Sequence, residues 1–422
     1  MTQHAPLERS SRYANATFPR SALRPLKILL YVAITTDAER STRLEPPSLK
    51  RIAVQLLDIA WAFLARRVST HFYHWEVRNS NKGDIAIRLA ITEQLVRAFH
   101  PVPVEIEQLQ WGNLTAERAA AINRDFDLCV IGGSGYLFPI FGRFPSRFFE
   151  DVRALRLINC RKIAYGLGWN SILGQTADLE PDSSRALQAF IAGLDAVSVR
   201  DRNAEQAIFA ATGTLAAVTG DPALYDGNGR PRGTARQPKG RLRIGINLAC
   251  HGIITARHLE RDLDNIAIVA KALRKKYNAE LHYVAHAGSE RLAWWLLASR
   301  GVITQWHDTP PERLVELYGT LDFHVSQMMH SAILALRAGV PTIAMAYDEK
   351  TAALFDLLGI PELCVPITDW DPADILSRFD EMTENCDELR ARFSARIASL
   401  RGEAARFLER ISREERDGIR CA

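Results

Sequence analysis

From Lys27 onward, short runs of apolar, often β-branched residues alternate with longer segments in which apolar residues recur every three or four positions. The first series of runs is KILLYVAI, THFYHWEV, VPVEIEQL, FDLCVIGG, RKIAYGLG, LDAVSVRD and TLAAVTGD, with helical periods at 52–65 and again from about Asp84. Continuous apolar runs suit strands buried on both faces, and their alternation with helices predicts βαβ units on a parallel sheet. Residues 224–241, LYDGNGRPRGTARQPKGR, interrupt the pattern with Gly, Pro and basic residues and read as a linker. A second series follows: LRIGINLA, a helix from about Ala256 to Tyr277, AELHYVAH, a helix through RLAWWLLAS, LDFHVSQ, a short helix, and VPTIAMAY. Beyond Asp371 the chain turns helical and heavily charged. The expected fold is α/β: two Rossmann-like, doubly wound domains facing a cleft. The expected division is a mobile tail at 1–26, an N-terminal domain at 27–223, the linker, a C-terminal domain at 242–370 and a helical segment at 371–422. Ligands in such folds sit beyond the carboxyl ends of the strands.

Totals change this picture little. The length of 422 residues suits two cores, and 47% hydrophobic with 24% charged residues is an ordinary globular balance. A net charge of +4 with Lys and Arg spread along the chain gives no basic stripe for nucleic acid. Six cysteines without a CxxC pair encode neither a zinc knuckle nor a disulfide framework, and a reducing cytoplasm is the expected home. The first 26 residues are basic and lack an apolar signal core. The 52–65 segment contains Gln55 and Asp58 and is bracketed by Lys50, Arg51, Arg66 and Arg67, so it is too short and too polar to span a bilayer. Packing on a sheet accounts for it. A peripheral position at the inner face of a membrane is left open, as is the oligomeric state.

Candidate chemistry collects at the strand ends. In NSNKGDIAI, Asn81 and Asp84 have the ordinary fate of helix caps, while Gly83 would let backbone N–H groups approach an anion. VIGGSGYLF places Gly132, Gly133 and Gly135 directly after a strand. It has neither a P-loop lysine nor dinucleotide spacing. YGLGWN is a second glycine turn, and tight packing alone explains it. Arg200 and Asp201 close a strand in VSVRD, where Asp201 suits a cap and Arg200 a bidentate anion clamp. Asp221 opens a D-P-A turn, and Asn247, within LRIGINLA, is expected among the ligand-binding residues. His330 stands near the start of a helix after LDFHVSQ. A solitary histidine is most often structural, but a strand end favours function. His282 and His286 are expected on one face of a strand, with no partner to suggest a metal.

Taken in order, these islands resemble the polysaccharide pyruvyl transferase family. The resemblance rests on N-x-G-D (Asn81, Gly83, Asp84), GG-x-G (Gly132, Gly133, Gly135), V-R-D (Val199, Arg200, Asp201), D-P-A (Asp221, Pro222, Ala223) and a late segment of His330, Gly339, Val340, Pro341, Tyr347 and Lys350. It implies a glycosyltransferase-like (GT-B-like) fold and an enzyme that moves a pyruvyl group from phosphoenolpyruvate to a sugar of a bacterial glycan or its lipid-linked precursor. No cofactor or metal is implied. His330 would be the general acid, Asp84 or Asp221 the base, and Arg200, Tyr347 and Lys350 part of the donor site. Family members usually carry an arginine two residues before the histidine, and here that residue is Met328. A nucleotide-sugar glycosyltransferase and a non-catalytic glycan-binding relative are the alternative readings.

Overall fold

The computed structural model describes residues 8–9, 24–36, 81–171, 178–225, 241–249, 253–287, 290–368 and 370–421. The helix expected at 52–65, the strand THFYHWEV, most of the 1–26 tail and nearly all of the 224–241 linker lie outside these residues. The chain divides into two compact units, one made of Met1–Glu39, Asp84–Gly229 and Ala398–Ala422, the other of Arg40–Gly83 and Arg230–Ile397.

The first unit is built on seven strands: β1 (Glu8–Arg9), β2 (Leu26–Val32), β3 (Val104–Gln110), β4 (Leu128–Gly132), β5 (Arg161–Leu167), β6 (Ala196–Val199) and β7 (Ala217–Val218). Their order is β1-β3-β2-β4-β5-β6-β7, all parallel except β1. β4 is buried along its whole length and β2 everywhere except Lys27. That is why these strands read as uninterrupted apolar runs. The chain order reverses between β2 and β4, which is the position where doubly wound sheets open a crevice.

The second unit has β8 (Arg243–Asn247), β9 (Glu280–Val284), β10 (Gln305–His307), β11 (Phe323–Ser326), β12 (Thr342–Ala346) and β13 (Cys364–Pro366) in the order β10-β9-β8-β11-β12-β13, all parallel. This is the 3-2-1-4-5-6 arrangement of a Rossmann sheet, with its reversal between β8 and β11. β10 and β13, absent from the sequence reading, are three residues each and too short to show a period.

Helices fill the crossovers. Arg202–Thr212 is capped by Asp201, whose carboxylate accepts from Ala204 N, and it ends at Gly213 with φ 71°. The charged stretch after Asp371 forms Pro372–Glu384 and Cys386–Cys421. Within the first unit, Phe407 of the last helix stacks on Tyr165 of β5 at 5.9 Å, and Arg161 pairs with Glu414 and Glu415. The first core also encloses a carboxyl: Asp151 accepts from Tyr31 and Tyr136, each at 2.8 Å. No helix among the described residues is long and apolar enough to cross a membrane.

Candidate active site

In the first unit the glycine turn leaves β4 at Gly132 and passes through Gly133 (φ 52°) and Ser134 (φ 56°). A left-handed backbone at a residue other than glycine is uncommon and is retained where surrounding contacts hold it. Here the Ser134 hydroxyl donates to Asp84 Oδ1 at 2.5 Å. Gly135 has no room for a side chain, since a Cβ would lie 2.0 Å from Asn170 Nδ2. The two glycine turns of the sequence are in fact one structure: Gly168 N donates to Ser134 O at 2.9 Å, and Asn170 N to Leu137 O at 2.7 Å.

Arg200 and Asp201 lie beneath this double turn, both buried. The Arg200 guanidinium donates through Nε to Asp201 Oδ2 at 2.8 Å and through Nη2 to Trp169 O at 3.1 Å. Its neighbour Asp221 is also fully buried, with Oδ1 accepting from Ala223 N at 2.9 Å. Burial pushes the Asp221 pKa up to about 6, Arg200 and the Ala223 N–H oppose that rise, and the charges of Asp84 and Asp201 add to it. The first unit thus gathers Asp84, Gly132, Gly133, Gly135, Arg200, Asp201 and Asp221 at the carboxyl ends of its strands. Much of the arginine's hydrogen bonding is spent on holding the turn.

In the second unit, β11 ends at Ser326 and the helix Met329–Arg337 begins three residues later, with His330 in its first turn. Gly83 packs against that imidazole so closely that a Cβ would lie 2.2 Å from His330 Nδ1. The segment before it is fixed: Asn81 Oδ1 accepts from Gly83 N at 3.0 Å, Lys82 N donates to His286 O at 3.1 Å, and Lys82 Nζ reaches Ala285 O and Asp308 Oδ1 at 2.8 and 2.6 Å. Asn247 is buried at the end of β8, where its amide donates to Val284 O at 2.9 Å and Glu290 Oε2 at 2.5 Å. Glu290 also accepts from His286 N and Ala287 N at 2.9 and 2.7 Å. Burial raises its pKa to about 8, against the pull of these N–H donors and Lys82.

A buried hydrogen-bonded chain runs beside His330. His286 Nε2 meets Tyr318 OH at 2.7 Å, Tyr318 OH meets Ser331 Oγ at 2.6 Å, and Ser331 Oγ meets His324 Nε2 at 2.8 Å. Burial drives the His286 pKa far down, helped by Lys82 and His330, and lowers that of His324 to about 3. Both rings are therefore neutral and can hand a hydrogen bond along the chain. At the next strand end Lys350 Nζ lies 3.1 Å from Asp348 Oδ2 and 5.9 Å from the centre of the Tyr347 ring, while Asp348 caps the helix Glu349–Leu357.

His330 is accordingly not solitary, and the expectation that His282 and His286 share one strand is corrected. β9 ends at Val284, so His286 lies beyond it and joins Tyr318, whereas His282 stays in the strand and meets His307 at 3.0 Å. Among the described residues no group of three His, Cys, Asp or Glu gathers as a metal site. Met328 is 5% exposed, so the residue that stands where the resemblance implies an arginine is buried. Ser134, Tyr318, Ser331 and Glu290 escaped the sequence reading. Ser134 was legible within GGSG, while Glu290, which accepts from the N–H of Ala287 three residues before it, has only the weak signal of an acidic residue at a helix start. Tyr318 carries no local signal.

Solved structures with a similar chain trace include a UDP-GlcNAc 2-epimerase from Neisseria meningitidis bound to UDP-GlcNAc (8% identity, 90% of this chain and 97% of that one, TM-score 0.47). A UDP-glucosyltransferase from Polygonum tinctorium (10%, 93% and 99%, TM-score 0.44) and the S. aureus MnaA–UDP complex (11%, 74% and 88%, TM-score 0.44) are others. Identities and scores of this order say nothing about the ligand of this chain. The polysaccharide pyruvyl transferase family model matches residues 81–349, a span that runs from Asn81 through the glycine turns and His330 to Glu349, one residue before Lys350. The chain belongs to the polysaccharide pyruvyl transferase family and is a transferase.

Proposed function

We propose that the protein transfers pyruvate from phosphoenolpyruvate to a pair of hydroxyls on a sugar, free or lipid-linked, and closes a ketal. The supporting observation is His330: it opens a helix at the carboxyl end of β11, beside the reversal of its sheet, with the backbone of Gly83 packed directly against its ring. A proton from His330 goes to the terminal methylene of the donor, which becomes a methyl group, and the central carbon becomes electrophilic. One sugar hydroxyl attacks that carbon, the carbon–oxygen bond to phosphate breaks, and a second hydroxyl completes the ketal. Of the two hydroxyl protons, one restores His330 and the other leaves on phosphate. Lys350 supplies positive charge for the donor's anionic groups, the part Met328 cannot play. Thermal stabilisation by phosphoenolpyruvate, with none from a panel of nucleotide sugars, is the expected result. The reverse pattern would favour a glycosyltransferase, and saccharide binding with no turnover of any donor a glycan-binding protein.

A further inference from the structure

Within the first unit lies a cavity of about 720 Å³. This is within the range of small-molecule sites, roughly 300–1,000 Å³. Its floor is Gln94, Tyr165 and Tyr225, all buried and bonded to one another: Tyr165 OH donates to Gln94 Oε1 at 2.5 Å, and Gln94 Nε2 to Tyr225 O at 3.2 Å. One wall is the face of the last helix that carries Ala398, Gly402 and Ala405, spaced so that three minimal side chains fall together. Glycine inside a helix weakens it, and here a Cβ at Gly402 would meet only Arg406 Nη1, at 3.5 Å. Space has been kept rather than filled.

The rim is cationic. Arg97, Arg401, Arg413 and Arg416 line the opening with His100, against the single carboxylate of Glu409. Other arginines of this helix are engaged: Arg392 with Glu362, Arg406 with Glu403, and Arg390 with Asp387 and Gly339 O. Arg401 and Arg413 have no hydrogen-bond or ion-pair partner among the described residues, and both border the cavity. Arg97 pairs with Glu93 at 3.6 Å and Arg416 Nε donates to Ser412 O at 3.2 Å, yet four guanidinium groups bordering a cavity with aromatic residues match a ligand with a multiply charged anionic end and an uncharged body.

We infer that this cavity binds a phosphate-bearing amphiphile, its phosphate among Arg97, Arg401, Arg413 and Arg416 and its body against Tyr165 and Tyr225. The same chemistry is offered by a soluble organic phosphate and by the headgroup of an acidic lipid. Gln94 also donates to Pro222 O at 3.0 Å, so the ligand would rest on a residue that holds the turn following Asp221.

The test is calorimetric titration of the full-length protein with hexyl phosphate, inorganic phosphate and hexanol. Hexyl phosphate should bind more tightly than phosphate, and hexanol should not bind. Replacing both unpaired cations (Arg401→Gln with Arg413→Gln) should weaken hexyl phosphate by about tenfold or more for each charge-assisted hydrogen bond removed. Filling the wall (Gly402→Leu) should block the body while leaving the rim intact. Circular dichroism checks that each variant is folded. Arg413 is exposed and Arg401 partly so, which keeps the double variant informative should Gly402→Leu fail to fold. Co-sedimentation with phosphatidylcholine vesicles only when phosphatidic acid is present, abolished in the double variant, would assign a lipid source. Hexyl phosphate binding without co-sedimentation would assign a soluble one. Equal affinity for hexyl phosphate in wild type and double variant, or hexyl phosphate no tighter than phosphate, would overturn the inference.

Discussion

Gly83 exerts its effect through a neighbour. A methyl group there would overlap the His330 ring, with Cβ 2.2 Å from Nδ1, so Gly83→Ala must push the imidazole aside. Misplacing a catalytic group by about 1 Å can cost about 10²-fold in rate. Gly83→Ala is therefore expected to lower kcat about 100-fold with the fold retained, measured by phosphate release and by the thermal midpoint. An unchanged kcat would show that His330 does not act where it stands. Asp221 makes a second prediction. Its folded pKa of about 6 lies above the unfolded value, so the stability its proton contributes is complete below about 4 and is lost as pH rises through 6. A shift of about two units corresponds to roughly 3 kcal/mol. Urea unfolding at pH 4 to 7 should show wild type losing that amount relative to Asp221→Asn, and parallel profiles would remove Asp221 as the source. Both residues were visible in the sequence as members of N-x-G-D and D-P-A. What was not visible was the reason for each: close approach of a ring in one case, complete burial beside Arg200 in the other.

Elements explain why Arg200 reads as a clamp yet is tied down. Asp201 caps the helix Arg202–Thr212 with one oxygen and holds the buried guanidinium with the other. Its loss removes a cap worth about 1 kcal/mol and leaves a buried charge without its partner, at about 3–5 kcal/mol. Asp201→Ala should therefore cost about 4–6 kcal/mol in denaturant unfolding, and Asp201→Asn, which keeps a capping oxygen but also removes the charge, about 3–5 kcal/mol. A small loss in Asp201→Asn beside a large one in Asp201→Ala would mean that the charge is immaterial. The strands most deeply buried, β2 and β4, were also the most legible, because burial on both faces writes a continuous apolar run. β10 and β13 were not, because three residues take their conformation from the sheets they join. The joining of the two glycine turns through Gly168 and Ser134 was equally invisible, since it depends on the side-by-side pairing of β4 and β5, which are separate in sequence.

At the scale of the molecule, the chain order reverses once in each of two sheets that are parallel apart from β1, and the residues of the family pattern collect where their strands end. That much followed from alternation and motif order. The His286–Tyr318–Ser331–His324 chain did not, since its members come from three separate elements and a loop, and only folding assembles them. The most direct test of the proposed chemistry is incubation of the protein with phosphoenolpyruvate and a panel of saccharide acceptors, reading phosphate release and the mass of each saccharide. Phosphate released only with acceptor, matched by one pyruvate ketal per released phosphate and abolished in a folded His330→Gln variant, is the predicted result. A His330→Gln variant that transfers pyruvate at the wild-type rate, or a wild type that modifies the saccharide only from a nucleotide sugar, would contradict it.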